Sequence, residues 1–371
     1  MKAPIMVIDS LRQIVANLNG SAAASALLLR NLLCASRQVE EAHQTHTRHP
    51  DVGGRGLEPE ARGLARVRRA VGTLMRPLAT LAQIAMSGSP AHAADPVELA
   101  AFVALARPAP TVVLQYGTAA SQAVDLFLPA GSGLHPVAIL IHGGCWSVTT
   151  AGREQLRHIG AELASRGIAV WSVGYRRANE DGGGYPGTFQ DVGLALDRLR
   201  SDAARYHLDL SRTVLAGHSA GGHLALWAAA RDSLPAASPL YNAHPFMPGS
   251  IISLAGIGDL EAFARLVPIH CGPGILEKLV PATISTDAYA EISPAALPAP
   301  KAPVVMISGI LDRLVPPYAA HDYARAMRRK QATSTELVEI PGAGHFDLVT
   351  PGTRAWTEVR GRIEVALGVA P

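Results

Sequence analysis

Cysteine is scarce in this chain: its 371 residues include three, Cys34, Cys145 and Cys271, with no C-x-x-C pair among them. That number and spacing argue against a disulfide-stapled scaffold and against a cysteine-based metal site. Charged and aromatic residues are also sparse, at 17% and 5%. No stretch reaches the roughly 20 uninterrupted apolar residues that a membrane-spanning helix needs. The best early run, 22–33, is broken by Arg30. The small formal charge of +3 is unevenly placed: residues 1–93 carry 11 Lys/Arg against 6 Asp/Glu, leaving 22 against 24 for 94–371. The body of the chain is therefore slightly acidic, which removes the main support for a nucleic-acid partner, since phosphate binding needs a basic face on the folded domain. What the chain has in quantity is apolar material, 48% of residues, enough for a packed core.

Residues 1–93 lack sustained periodicity, and their middle, 38–69, is rich in His, Arg and polar residues. Such a segment buries too little surface to offset its ordering entropy, so we expect a disordered or leader-like extension, with at most a helix over 10–33. His43, His46 and His49 recur at intervals of three, but no Cys or carboxylate pattern completes a metal site. Met75-Arg76, a short apolar stretch and Ala91-His92-Ala93 together have the parts of a secretory signal peptide over 75–93. If Met75 is the true start, the protein is secreted or periplasmic; if the stretch is only an apolar linker helix, it is cytoplasmic.

From 110 onward the pattern becomes regular. Short β-rich runs at 111–116 and 122–128 suggest an opening hairpin, and 136–141 is a continuous apolar run suited to a strand buried on both faces. Helical spacing follows at 153–166, then a strand at 168–173, a helix at 191–205, a strand at 213–216 and a helix at 220–231. Strands at 250–255, 304–308 and 336–340, with helices near 317–329 and 354–367, complete the series. Strand and helix in alternation predict an α/β fold with a mostly parallel sheet covered on both faces, and chemistry at the carboxyl ends of its strands.

The strand at 213–216 runs into Gly217-His218-Ser219-Ala220-Gly221, a G-x-S-x-G sequence followed by a helix. That setting is the nucleophile elbow, whose tight turn exposes the serine oxygen, so Ser219 is the candidate nucleophile. A serine needs a base, and the base needs an orienting acid. His345 and Asp312 fall just after the last two strands, in the order Ser, Asp, His. Asp259, one strand earlier, is the rival acid, although it reads better as a helix N-cap before Leu260-Glu261. The strand at 136–141 ends in His142-Gly143-Gly144-Cys145-Trp146, a loop of the type that turns backbone N–H groups toward a developing oxyanion. The donors expected are Gly144, Cys145 and Ala220, with Gly143 as the alternative. Cys145 reads as a small side chain rather than a nucleophile, and His142, His218 and His223 as bracing or packing residues. For the substrate walls we expect Trp146, the Gly-rich loop 181–187 with Tyr185, and the long connection 256–302.

On these residues, together with Asp125-Leu126-Phe127-Leu128-Pro129, Tyr175-Arg176, Gly222-His223 and Gly344-His345, the chain from about Tyr116 to its end resembles the α/β-hydrolase superfamily. Within it, the chain is most similar to the esterase/lipase branch with an H-G-G oxyanion loop, in the kynurenine formamidase-like and feruloyl/acetyl-xylan-esterase-like group. The resemblance implies one catalytic domain over 94–371 and a serine hydrolase that cleaves small carboxylic esters through an acyl-enzyme, without metal or cofactor. Arylformamidase activity is the alternative. A non-catalytic hydrolase-fold binding protein is the reading from another class.

Overall fold

The computed structural model of the protein describes residues 95–150, 152–280, 287–330 and 335–369. The expectations for 1–93, including the leader-like 75–93 and His43, His46 and His49, lie outside the described residues.

Eight strands form one sheet in the order β1-β2-β4-β3-β5-β6-β7-β8. They are β1 (Val112–Gln115), β2 (Ala123–Phe127), β3 (His135–Ile141), β4 (Ala169–Val173), β5 (Leu208–His218), β6 (Ser250–Leu254), β7 (Val304–Gly309) and β8 (Thr335–Ile340). β1 pairs antiparallel with β2, and β2 antiparallel with β4; every pairing from β4 through β8 is parallel. The central parallel strands β3 and β4 are largely apolar because helices cover both faces. Val137 to Ile141 are all essentially inaccessible to solvent. The covering helices of the sheet are α2 (Arg157–Ser165), α3 (Gly187–Asp202), α4 (Ala220–Ala228), α8 (Tyr318–Arg329) and α9 (Arg354–Ala366). Four short helices lie elsewhere: α1 (Leu99–Val103) before the first strand, and α5 (Leu260–Phe263), α6 (Val267–Cys271) and α7 (Ile275–Leu279) between β6 and β7. Among the described residues no helix is long and apolar enough to cross a membrane.

Two differences from the expected elements have local causes. β5 begins five residues before the expected strand, because His135 and Pro136 pair with Leu208 and Asp209 before an irregularity in the ladder shifts the register at Val137. Asp209, Ser211 and Arg212 hide that extension from a hydrophobic pattern. α3 begins at Gly187 rather than near 191, in a turn where Thr188 Oγ1 donates to the Arg176 carbonyl at 2.5 Å and accepts from Gly184 N at 3.0 Å.

The register aligns the strand ends that carry the motifs. Ile141 of β3 lies opposite Gly217 of β5, His218 of β5 opposite Leu254 of β6, and Gly309 of β7 opposite Ile340 of β8. Positions spread over about 200 residues of sequence, after Ile141, His218, Gly309 and Ile340, therefore emerge together at the carboxyl ends of the parallel strands.

A buried carboxylate ties the start of α3 to the sheet. Asp191 is inaccessible to solvent and accepts from Gln122 Nε2 at 2.8 Å, from the Arg176 backbone N–H at 2.9 Å, and from Arg176 Nε and Nη2 at 2.8 Å each. Removing one partner of a buried, hydrogen-bonded pair leaves the other uncompensated, at a cost of about 3–5 kcal/mol. Asp191→Ala is expected to lower the melting temperature by on the order of 10 °C in calorimetry. A loss of under about 1 kcal/mol would mean that Arg176 is solvated well enough to do without the carboxylate.

Candidate active site

Ser219 follows β5 directly and caps α4 with φ 56° and ψ −121°. A residue with a Cβ held there costs roughly 1–3 kcal/mol, and such strain is found chiefly where function requires it. Space enforces the turn: a Cβ on Gly217 would lie 2.1 Å from the Gly221 carbonyl oxygen, and one on Gly221 would lie 2.2 Å from that of Ile141. The Ser219 N–H donates to Leu254 O at 2.8 Å, so the elbow is also stitched to β6.

His345 and Asp312 come together in the turns after β8 and β7. His345 Nδ1 lies 2.6 Å from Asp312 Oδ2, and both residues are buried. A carboxylate only accepts, so Nδ1 carries the hydrogen and Nε2 is left as the basic nitrogen. Asp312 Oδ1 accepts from Leu314 N at 2.8 Å and Val315 N at 2.9 Å, which fixes the acid. Asp347 fixes the histidine turn: its Oδ2 accepts from Gly344 N at 2.8 Å and from Val97 N at 3.1 Å. Asp259, the rival acid, accepts from Ala262 N at 3.0 Å and is an N-cap.

The loop after β3 has three consecutive residues at positive φ: Gly144 at 98°, Cys145 at 58° and Trp146 at 50°. The Gly143 carbonyl faces His142 Nδ1 at 2.7 Å. The Gly144 carbonyl accepts from Ser147 N at 2.9 Å and Thr150 Oγ1 at 3.1 Å. In a trans peptide the N–H points away from the carbonyl of the same unit, so the amides of Gly144 and Cys145 face out of the loop. Ala220, as the first residue of α4, has an amide with no acceptor inside its helix.

Ser219, Ala220, His345, Gly144, Cys145 and Trp146 all line one cavity of about 300 Å³. Gly143, the alternative donor, does not; it backs onto the elbow, where a Cβ would lie 2.8 Å from His218 O. Tyr185, expected on the wall, lies outside the cavity's lining. Its ring sits near Phe189, its hydroxyl bonds Glu291 at 3.2 Å, and its backbone N–H donates to Lys278 O at 2.8 Å. The Gly-rich loop 181–187 thus supports the outside of α7 rather than facing substrate. Of the connection 256–302, Ile257, Phe263, His270 and Cys271 reach the cavity.

Cys145 corrects the sequence reading: it forms a disulfide with Cys271, 126 residues away. Low cysteine content argues against a disulfide framework but says nothing of a single bridge, and only the folding of α6 over the loop after β3 brings the two thiols together. Other wall residues were not singled out from the sequence. They are Leu99, Phe102 and Val103 of α1, and Leu314, Val315 and Phe346 beside the acid and the histidine. The i, i+3, i+4 spacing of the first three was the available signal.

The flanking histidines brace. His218 Nε2 donates to His345 O at 3.0 Å, His223 Nε2 to Ile292 O at 2.8 Å, and the His142 ring stacks on Tyr175 at 4.3 Å. Burial pushes His142 and His223 down to about 4, and pushes His218 well below its ordinary value, assisted by the nearby His345.

A mostly parallel sheet with a serine elbow after β5, an acid after β7 and a histidine after β8 defines an α/β-hydrolase. Residues 124–327, more than half of the chain, match the BD-FAE family model, and the chain belongs to that family. His345 lies beyond the matched range. The chain is 26% identical over 233 residues to the probable carboxylic ester hydrolase LipM of Mycobacterium tuberculosis, covering 62% of this chain and 53% of LipM. It is 28% identical over 150 residues to kynurenine formamidase of Danio rerio, covering 39% and 45%. It spans about half the length of these curated relatives. Thermogutta terrifontis esterase 2, in a structure phosphoramylated by tabun, shares the fold with a TM-score of 0.57 at 21% identity, covering 72% of this chain and 98% of that one.

Two outcomes are expected. The Cys145–Cys271 bridge closes a long loop, so Cys271→Ser, or reduction of the wild type, should cost about 2–5 kcal/mol. The melting temperature of Cys271→Ser should then no longer respond to reductant. His142 and His223 bind protons less readily folded than unfolded, so stability falls as pH drops from about 6.5 toward 4, by about 3 kcal/mol for each at the acid end. Melting temperatures of His223→Gln across that range should fall less steeply than those of the wild type; equal slopes would contradict the assignment.

Proposed function

We propose that the protein is a serine hydrolase that cleaves small, apolar carboxylic esters through an acyl-enzyme. The observation that carries this reading is that His345, hydrogen-bonded to Asp312, lines the same cavity as the strained Ser219, Gly144 and Cys145. Esterases among the relatives support it.

In the first half-reaction Ser219 Oγ bonds to the ester carbonyl carbon while its proton passes to His345 Nε2. The carbonyl electrons collect on oxygen, where the amides of Gly144, Cys145 and Ala220 hold the charge. Collapse of that intermediate breaks the bond to the alcohol oxygen, which leaves with the proton from His345. Water then gives a proton to His345 and attacks the acyl carbon, and a second collapse frees the acid and restores Ser219. Asp312 stays ionised and stabilises the imidazolium in between.

Formamide hydrolysis is the second reading, favoured by the kynurenine formamidase relatives. The lining weighs toward esters: among the described residues no Lys, Arg, Asp or Glu lines the cavity, whereas N-formylkynurenine presents an ammonium and a carboxylate. The Cys145–Cys271 bridge favours the secreted or periplasmic setting, since cytosolic thiols are kept reduced.

Rates on p-nitrophenyl acetate, p-nitrophenyl octanoate and N-formylkynurenine test the reading. Ser219→Ala is expected to lose about 10⁴-fold or more in kcat. Formamide turnover well above ester turnover would reverse the order of the two readings, and full activity in Ser219→Ala would remove both.

A further inference from the structure

The cavity has two walls anchored on different parts of the site. One belongs to the cap, the connection between β6 and β7 that holds α5–α7, and carries Ile257, Phe263 and Cys271. It is bonded to the loop after β3 through the Cys145–Cys271 disulfide. The other belongs to α1 and the residues just before it, which precede the first strand and lie outside the matched family range.

That segment is tied to the histidine turn. The Val97 N–H shares Asp347 Oδ2 with the Gly344 N–H, and Pro96 packs so closely on Gly344 that a Cβ there would lie 2.6 Å from Pro96 Cβ. Phe102, only 3% exposed, stacks on Phe346 with ring centroids 5.1 Å apart and planes at 20°. The Phe346 ring is in turn 5.0 Å from that of His345. Leu99 and Val103, 45% and 37% exposed, complete this wall and leave an apolar rim to the cavity.

We propose that residues 95–103 form the leaving-group wall of the substrate site, and that Phe102 and Leu99 select for esters of apolar, uncharged alcohols. The inference rests on the acyl-transfer reading above. In that reaction the departing oxygen must take its proton from His345, while the carbonyl oxygen is held by the amides after β3 and at Ala220. The alcohol therefore projects along the His345 side of the cavity, where Phe346, Phe102 and Leu99 stand. The acyl chain is directed toward the disulfide-anchored cap, with Phe263 and Ile257. Among the described residues neither wall carries a Lys, Arg, Asp or Glu, so a charged alcohol would surrender its hydration without an opposite charge there.

Two substrate series separate the walls: methyl, butyl and benzyl acetates vary the alcohol, and p-nitrophenyl acetate, butyrate and octanoate vary the acyl group. Phe102→Ala is expected to change the benzyl-to-methyl ratio of kcat/KM by about tenfold or more, the scale of one lost apolar contact, and the octanoate-to-acetate ratio by less than about twofold. Leu99→Trp, at a half-exposed position that removes no core contact, should shift the same alcohol ratio and decides the matter if Phe102→Ala does not fold. Effects on the acyl series alone, on both series equally, or on neither overturn the proposal. If the wild type shows no Ser219-dependent hydrolysis of any of these esters, the acyl-transfer reading itself has failed, which is a distinct result.

Discussion

Two backbones approach each other so closely where β3, β5 and α4 meet that no side chain fits between them. Gly217 and Gly221 occupy that contact, and the turn it forces places Ser219 at φ 56°. Everything around the site is arranged on this constraint. α4 can begin only there, with its first amides turned outward, and the loop after β3 must pass beside it, with Gly143 against His218 and Ser219. A strained residue persists only where its surroundings over-determine it. Here the determinants are the sheet ladder on both sides of β5 and the Ser219 N–H bond to Leu254.

The acid and base are held by a different device, a set of carboxylates that spend their lone pairs on backbone N–H groups. Asp312 uses one oxygen for two amides and the other for His345. Asp347 does the same for the turn that carries His345, and reaches out to Val97. Each such bond is charge-assisted and therefore stronger than a neutral one, so the imidazole is oriented by its neighbours rather than by its own packing alone. A separate cost comes from burial itself, which holds His142, His218 and His223 neutral so that the fold loses stability in acid.

Much of this was legible in the residues. Apolar runs marked the parallel strands, because strands covered on both faces must be apolar throughout, and the small residues around Ser219 marked the elbow, because only they fit it. The N-cap reading of Asp259 before Leu260-Glu261 then favoured Asp312. What stayed hidden has physical reasons. At the start of β5 only Leu208 and Asp209 pair with β3 before the register shifts, and Asp209, Ser211 and Arg212 interrupt the apolar run, so no continuous hydrophobic pattern reports the extension. Cys145 and Cys271 are brought together by tertiary folding over 126 residues. Tyr185 sits in a glycine-rich loop of the sort that often faces substrate, yet its backbone is committed to α7. Leu99, Phe102 and Val103 form less than two helical turns, too short for periodicity to stand out.

The parts that escaped the pattern are also the parts that shape the cavity. Sheet registry dictates where Ser219, Asp312 and His345 stand, and any change there breaks the chemistry along with the fold. The cap and α1 meet no such demand: neither lies in the sheet, and their ties to the site include, for the cap, a disulfide to the loop after β3 and, for α1, Val97 and the Phe102–Phe346 stack. In the proposed reaction those attachments go to opposite partners, the amides after β3 on one side and His345 on the other. Under that proposal a wall fastened to the loop after β3 and a wall fastened to the histidine turn can vary independently, which would let separate pieces of chain recognise the acyl and alcohol halves of a substrate.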